Sequence, residues 1–146
     1  MLATFCFRLC LGLVAFLPLL PADKMHPRFF RTQFLTALGL SIIALLTGFD
    51  SSSVMLYPLV GGVVVALLGS LIWTLDPPPF GRFIGWLATA VFGGGTAMLE
   101  SNKTDPAVWI DAITPSLVWI DAITSGLLLG ATVTAMLVGH SYLISP

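Results

Sequence analysis

The chain has 146 residues, of which 57% are hydrophobic and only 9% are charged, and its mean hydropathy is +1.00. A soluble domain carries about 25% charged residues, so this chain lacks the polar side chains that a water-facing surface needs. A net charge of −1 gives no basis for binding to nucleic acid.

In chain order, five apolar runs are each long enough to cross a bilayer, because a spanning helix needs about 20 residues. Backbone groups surrounded by lipid must be paired inside their own segment, which favours helices over strands. The predicted fold is an all-α polytopic integral membrane protein, with one transmembrane helical domain over 1–146. Its five predicted spans cover 2–21, 29–47, 56–75, 80–99 and 116–143.

Arg8 is the only charged residue in span one. A cleaved signal peptide is the alternative for this run, but residues 20–22, Leu-Pro-Ala, lack the small-x-small pattern of a cleavage site. Cys6 and Cys10 lie one helical turn apart, and free cysteines there act as small apolar packing residues. Arg8 is expected either to extend toward the headgroups or to pair with an acid from another helix.

Proline and glycine punctuate the middle of the chain. Pro58 is expected in the first turn of span three, where its missing N–H costs little, and the run Asp76-Pro-Pro-Pro ends that span. The glycine triplet at 93–95 is predicted to be a weak point of span four, tolerated only if neighbouring helices pack on it.

The seven residues VWIDAIT occur twice, at 108–114 and at 118–124. An Asp-Pro pair precedes the first copy and a Thr-Pro pair precedes the second, and both pairs are helix-start signals. Pro115 is therefore predicted to separate a short interfacial helix, 106–114, from span five. Trp109 and Trp119 are expected to anchor these segments at the headgroups.

The two copies also carry Asp111 and Asp121, for which two interpretations are open. They are either solvated acids at the interface or a paired-carboxylate site for a cation or proton. Ten residues rotate a helix by about 280°, so the two acids would not share one helix face. A copied piece of scaffold is the favoured interpretation, and both aspartates stay candidate polar-site residues together with Arg8.

Positive charges determine the predicted orientation. Lys24, Arg28 and Arg31 follow span one and Arg82 follows span three, whereas only Lys103 lies in a connection on the other side. Because Lys and Arg favour cytoplasmic connections, the N-terminus is predicted outside and the C-terminus inside. A bacterial cytoplasmic membrane is the expected location.

Small residues spaced four apart mark the predicted packing faces, because they let helix backbones approach closely in lipid. They are Gly62, Ala66 and Ser70 on span three, Ala90 and Gly94 on span four, and two adjacent stripes on span five, Gly126, Gly130 and Thr134 beside Ala131, Ala135 and Gly139. The double stripe predicts contacts on two sides of span five, one within the chain and one with another subunit.

His140 and His26 are both expected near the inner membrane face, where two histidines could ligate a haem or bind a quinone head group. His26 precedes Pro27 in a connection, which makes it a poor rigid ligand. The middles of spans two, three and four hold no ionisable residue of the kind that ion-coupled transporters bury.

The sequence therefore predicts a non-catalytic, accessory subunit of a larger membrane protein complex, with energy-transducing complexes as a candidate class. One alternative is a small homo-oligomeric transporter or channel, with a path beside the glycine triplet and Asp121. Another is an electron-transfer subunit that binds haem or quinone. The expected partners are other membrane protein subunits and membrane lipids, including bound lipid, and not nucleic acid.

Overall fold

The computed structural model describes residues 2–20, 26–48, 53–75, 80–101 and 113–144, with side chains described except at 53–55, 113–119, 122 and 140–144. Of these described residues, 97% are helical and none lies in a strand, which confirms the all-α class. The helices are α1 Leu2–Ala15, α2 Pro27–Gly48, α3 Ser53–Leu75, α4 Phe80–Ser101 and α5 Ile113–Ile144.

The first helix ends six residues before the predicted end of span one. Pro18 has no N–H to donate to the carbonyl of Val14, so the α-helical pattern cannot continue through it. A 3-10 turn, Leu17–Leu19, follows instead, with the N–H of Leu19 donating to the carbonyl of Phe16 at 3.2 Å.

Prolines lie near the starts of α3 and α5. α3 begins at Ser53, so Pro58 lies inside the helix rather than in its predicted place in the first turn. α5 begins at Ile113, so Pro115 lies in its first turn, and the break between the predicted interfacial helix and span five stays a prediction. A proline in the first turn removes only an N–H that has no intrahelical partner. Residues 106–112 of the predicted interfacial helix lie outside the described residues.

α1 is the central helix of the bundle. It packs against α2, α4 and α5, while α3 packs against α2 and α4 and closes the ring on the far side. α5 lies outside this ring against α1, with a smaller contact to α4. α1 and α5 run parallel, because Arg8 contacts Ser125 and Gly12 faces Gly130.

Aromatic side chains fill the interior between α1, α2, α3 and α4. Phe7 of α1 meets Phe92 of α4 edge-on with 5.3 Å between ring centroids, and Phe30 of α2 stacks on Trp73 of α3 at 4.2 Å. Each such pair stabilises packing by about 0.5–1.5 kcal/mol beyond the area it buries. These contacts join α1 to α4 and α2 to α3.

α4 continues without a break through the glycine triplet, so the predicted weak point is not a break in this helix. α1 side chains pack directly on this stretch. A Cβ atom at Gly93 would lie 3.7 Å from Leu11, and one at Gly95 would lie 2.6 Å from the ring of Phe7. The neighbouring helix therefore supports the triplet.

Alanine substitutions at two adjacent glycines of this triplet, Gly94 and Gly95, are expected to have different effects on the free energy of unfolding. Gly95→Ala should lower the free energy of unfolding by about 1–3 kcal/mol, because the fully buried Phe7 ring cannot move aside. Gly94→Ala should be neutral or raise it by up to about 1 kcal/mol, because nothing lies within 4 Å of the added methyl group and alanine favours helix. Reversible unfolding in mixed detergent micelles, followed by circular dichroism, measures both. Equal effects would contradict this packing.

The outside of the bundle is covered with large apolar side chains, such as Leu75, 81% exposed, and Met136, 78% exposed. A soluble monomer rarely exposes such continuous apolar surface. Among the described residues, four helical stretches are long and apolar enough to cross a membrane, Leu2–Leu19, Pro27–Gly48, Leu56–Leu75 and Phe80–Ser101, and α5 contributes a shorter apolar stretch, Ile123–Gly139. The apolar helices indicate a membrane location.

Candidate functional site

A charged pair links the central helix to α4. The guanidinium Nη2 of Arg8 lies 2.9 Å from Oε1 of Glu100, and its Nη1 donates to the hydroxyl of Ser125 on α5 at 3.2 Å. The Arg8 side chain is 26% exposed and that of Glu100 is 10% exposed. We call these three residues the polar triad.

The direction of the helices brings the polar triad together. α1 and α4 are antiparallel, since Phe7 contacts Gly95 while Pro18 faces Gly85. The second turn of α1, which carries Arg8, therefore lies beside the last turn of α4. Because α5 runs parallel to α1, its fourth turn, which carries Ser125, lies at the same level as Arg8.

Because the charged pair is largely buried, it affects how stably α1, α4 and α5 pack together. Taking a charge out of water costs several kcal/mol, and a partner charge in hydrogen-bonding geometry offsets much of that cost. Charged residues within apolar helices are by default candidates for functional sites. Within the described part of the chain, Nε of Arg8 is buried without a hydrogen-bond partner, so the guanidinium uses two of its three nitrogens here.

Of the two expectations for Arg8, the structure shows pairing with an acid from another helix. The sequence does not point to Glu100 or Ser125 as partners of Arg8. The available signal is Arg8 itself, because an arginine within an apolar run favours an acid on another helix. No spacing rule identifies that acid among residues 92 positions away.

Asp121 is exposed on α5, one helical turn before Ser125 and about 6 Å from it along the helix. Asp111 and Trp109 lie outside the described residues, so the paired-carboxylate interpretation stays a prediction. Trp119 belongs to α5, but its side chain lies outside the described ones.

His26 caps the start of α2. It is exposed, its carbonyl accepts the N–H of Phe29 at 2.9 Å, and its Nδ1 accepts the N–H of Arg28 at 3.3 Å. His140 lies in the last two turns of α5, and its side chain is outside the described ones. The haem or quinone site at these two histidines stays a prediction, with one ring nitrogen of His26 already used in the cap.

The two cysteines lie in the core as free thiols. Cys10 is buried at the contact of α1 with α2, where its Sγ lies 3.5 Å from the carbonyl oxygen of Ala37. Among the residues that the structure describes, no group of three His, Cys, Asp or Glu side chains could hold a metal ion.

The stripes of small residues divide into covered and uncovered faces. The covered ones are Gly62, Ala66 and Ser70 on α3 and Gly126, Gly130 and Thr134 on α5. Ala90 and Gly94 on α4 are exposed and pack against no described helix, so their role as a packing face stays a prediction. The face of α4 that packs is turned away from them and includes Ala88, Phe92 and Gly95.

The second stripe of α5 faces outward. Ala135 and Gly139 are exposed and Ala131 is half-buried. A Cβ atom at Gly139 would meet nothing within 4 Å. We call these three residues the outer stripe.

No protein-family model, curated protein or solved structure matches this chain significantly.

Proposed function

We propose that this protein is a non-catalytic, accessory integral membrane subunit of a larger membrane protein complex, and that the outer stripe of α5 is the surface that contacts a partner subunit. The observation that carries the proposal is the asymmetry of α5. One small-residue face is buried against α1, and the other is uncovered.

Lipid surrounding a bundle makes no special demand for small residues, whereas contacts between helices do. Gly126 and Gly130 already allow close approach to α1 on one side of α5. The exposed small residues Ala135 and Gly139 therefore support a second close approach, to another helix. The polar triad is consistent with a structural role, because its charges pair with each other inside the chain.

In this proposal α5 is the fifth span. Its 32 residues measure about 48 Å, against about 30 Å for the hydrocarbon core of a bilayer. Ser125 lies level with Arg8, and the twelve residues of α5 before it measure about 18 Å, against about 9 Å for the six residues of α1 before Arg8, so the first turns of α5 would extend past the start of α1. The second copy of the repeated segment would then stand at the headgroups.

We place the chain in a bacterial cytoplasmic membrane with the N-terminus outside and the C-terminus inside. Arg28, Arg31 and Arg82 support this orientation, because all three lie at the end of the bundle where α2 and α4 begin. Tags on the two termini should report opposite compartments.

The decisive experiment is extraction in mild detergent, followed by affinity purification and mass spectrometry of what is retained. A partner protein in fixed stoichiometry is expected. Ala135→Leu combined with Gly139→Leu should reduce retention of that partner at least ten-fold while leaving the thermal unfolding of the purified chain unchanged, because neither position contacts the rest of the described chain closely.

Gly39→Leu is the matched control. Gly39 also has nothing within 4 Å of its Cβ position, but it lies on α2, away from the outer stripe. This variant should retain the partner fully. A stable 15.5 kDa monomer that retains no other protein would overturn the proposal.

A further inference from the structure

α2 and α4 begin at the same end of the bundle. α2 runs antiparallel to α1, because Cys10 contacts Ala37 while Ala3 faces Gly48. α4 is also antiparallel to α1. The end of α1 and the beginnings of α2 and α4 therefore lie at the same end of the bundle, and we call this the arginine end.

The described charges at the arginine end are all positive. They are the exposed side chains of Arg28, Arg31 and Arg82. The described acids, Glu100 and Asp121, lie at the opposite end. Even with the charged residues of the two connections at the arginine end, Asp23, Lys24 and Asp76, positive charges outnumber negative ones four to two.

Helix direction adds to this positive potential. The first turns of α2 and α4 contain no acidic residue. The free N–H groups of a helix start carry about half a positive charge, which favours anions nearby. Both helix starts and the three arginines therefore act in the same sense.

Arg82 is held in place at this end. Its Nε donates to the carbonyl oxygen of Pro18 at 3.3 Å, which ties the guanidinium to the end of α1 and leaves both Nη groups for another partner. Next to it on α4, Phe83 is 66% exposed and Trp86 is 53% exposed. Aromatic rings beside a fixed guanidinium are typical of the boundary between acyl chains and headgroups.

We propose that the arginine end is a binding site for an anionic phospholipid, with Arg82 as the main contact to the phosphate and Arg28 and Arg31 adding long-range attraction. Phe83 and Trp86 would lie beside the glycerol and the upper acyl chain. An anionic lipid fits better than a zwitterionic one, because positive charges outnumber negative ones at this end of the chain's spans. The inference rests on the proposed membrane location but not on the proposed partner subunit.

The test uses the purified chain in neutral detergent, with phosphatidylglycerol or phosphatidylcholine added at equal mole fraction. Affinity for each lipid is measured by native mass spectrometry and by the shift in unfolding temperature. Wild type should prefer phosphatidylglycerol. Arg82→Gln should reduce this preference about five-fold, and Arg28→Gln with Arg31→Gln should reduce it further, because each basic side chain near an anionic surface adds about that factor.

The preference is a ratio within each variant, so it separates lipid binding from a general loss of stability through the Pro18 contact. Arg82→Lys should keep part of the preference because it keeps the charge. Lys103→Gln, which removes a positive charge two residues after the end of α4, should keep all of it.

Two results would overturn the site. One is equal affinity of the wild-type chain for both lipids. The other is protection by millimolar inorganic phosphate equal to that by phosphatidylglycerol, which would show a site for a free anion instead. A chain that stays soluble without detergent would refute the membrane location itself, which is a different failure.

Discussion

Gly130→Leu is expected to detach α5 from α1 and to lower the free energy of unfolding by at least about 3 kcal/mol. A Cβ atom at Gly130 would coincide with the backbone of Gly12, and one at Gly126 would lie 2.8 Å from the carbonyl oxygen of Arg8. These contacts are backbone against backbone, so no side chain can rotate away. Overpacking costs about 1–3 kcal/mol even where side chains adjust, and separation of the helices would also break the bond from Arg8 to Ser125.

Two measurements check this result. The first is reversible unfolding in mixed micelles. The second is the distance between spin labels on cysteines introduced at the exposed positions Phe5 and Leu128, which should lengthen and broaden if α5 detaches.

Gly139→Leu is the matched control on the same helix. Nothing lies within 4 Å of a Cβ atom there, and leucine forms helix better than glycine. This variant should be neutral or slightly stabilising in the isolated chain. If Gly130→Leu behaves like Gly139→Leu, the close crossing of α1 and α5 is wrong.

Breaking the pair between Arg8 and Glu100 is expected to have the next largest effect. Arg8→Met alone should cost about 3 kcal/mol, at the low end of the range for buried pairs because Arg8 is partly exposed. Arg8→Met with Glu100→Gln should cost clearly less than the sum of the two single changes, because each single change already removes the contact between the two side chains. The coupling free energy should be about 2 kcal/mol.

The same unfolding measurement serves for the full cycle. Asp121→Asn is the control, because this carboxylate is exposed and near the same end of the bundle. Its effect should stay within about 0.5 kcal/mol, as for most surface changes. Additive effects of the Arg8 and Glu100 changes would mean that the ion pair does not join α1 to α4.

Much of the helix content could be predicted from hydropathy and from the positions of the prolines alone. The run of three prolines after Asp76 placed the start of a helix at residue 80, where α4 begins. Pro58 misled the prediction for α3, because a proline inside a helix looks the same in sequence as one at its start. Pro115, in contrast, lies in the first turn of α5.

The packing faces were harder to predict. Ala90 and Gly94 follow the same four-residue spacing as Gly126 and Gly130, yet the first pair is exposed and the second is buried. Helices that are apolar on all sides give no polar face to orient them. The face that packs depends on which neighbour supplies the complementary surface, as Phe7 does at Gly95.

The sequence by itself determined the apolar environment and the helical class, because charge content and the length of apolar runs depend only on composition along the chain. The tertiary structure alone decided that Arg8 binds Glu100 and Ser125, residues 92 and 117 positions away, and that only one small-residue face of α5 is covered. Both outcomes depend on α1 occupying the centre of the bundle. That position follows from the shapes of several helices packed together, which no local pattern of residues records.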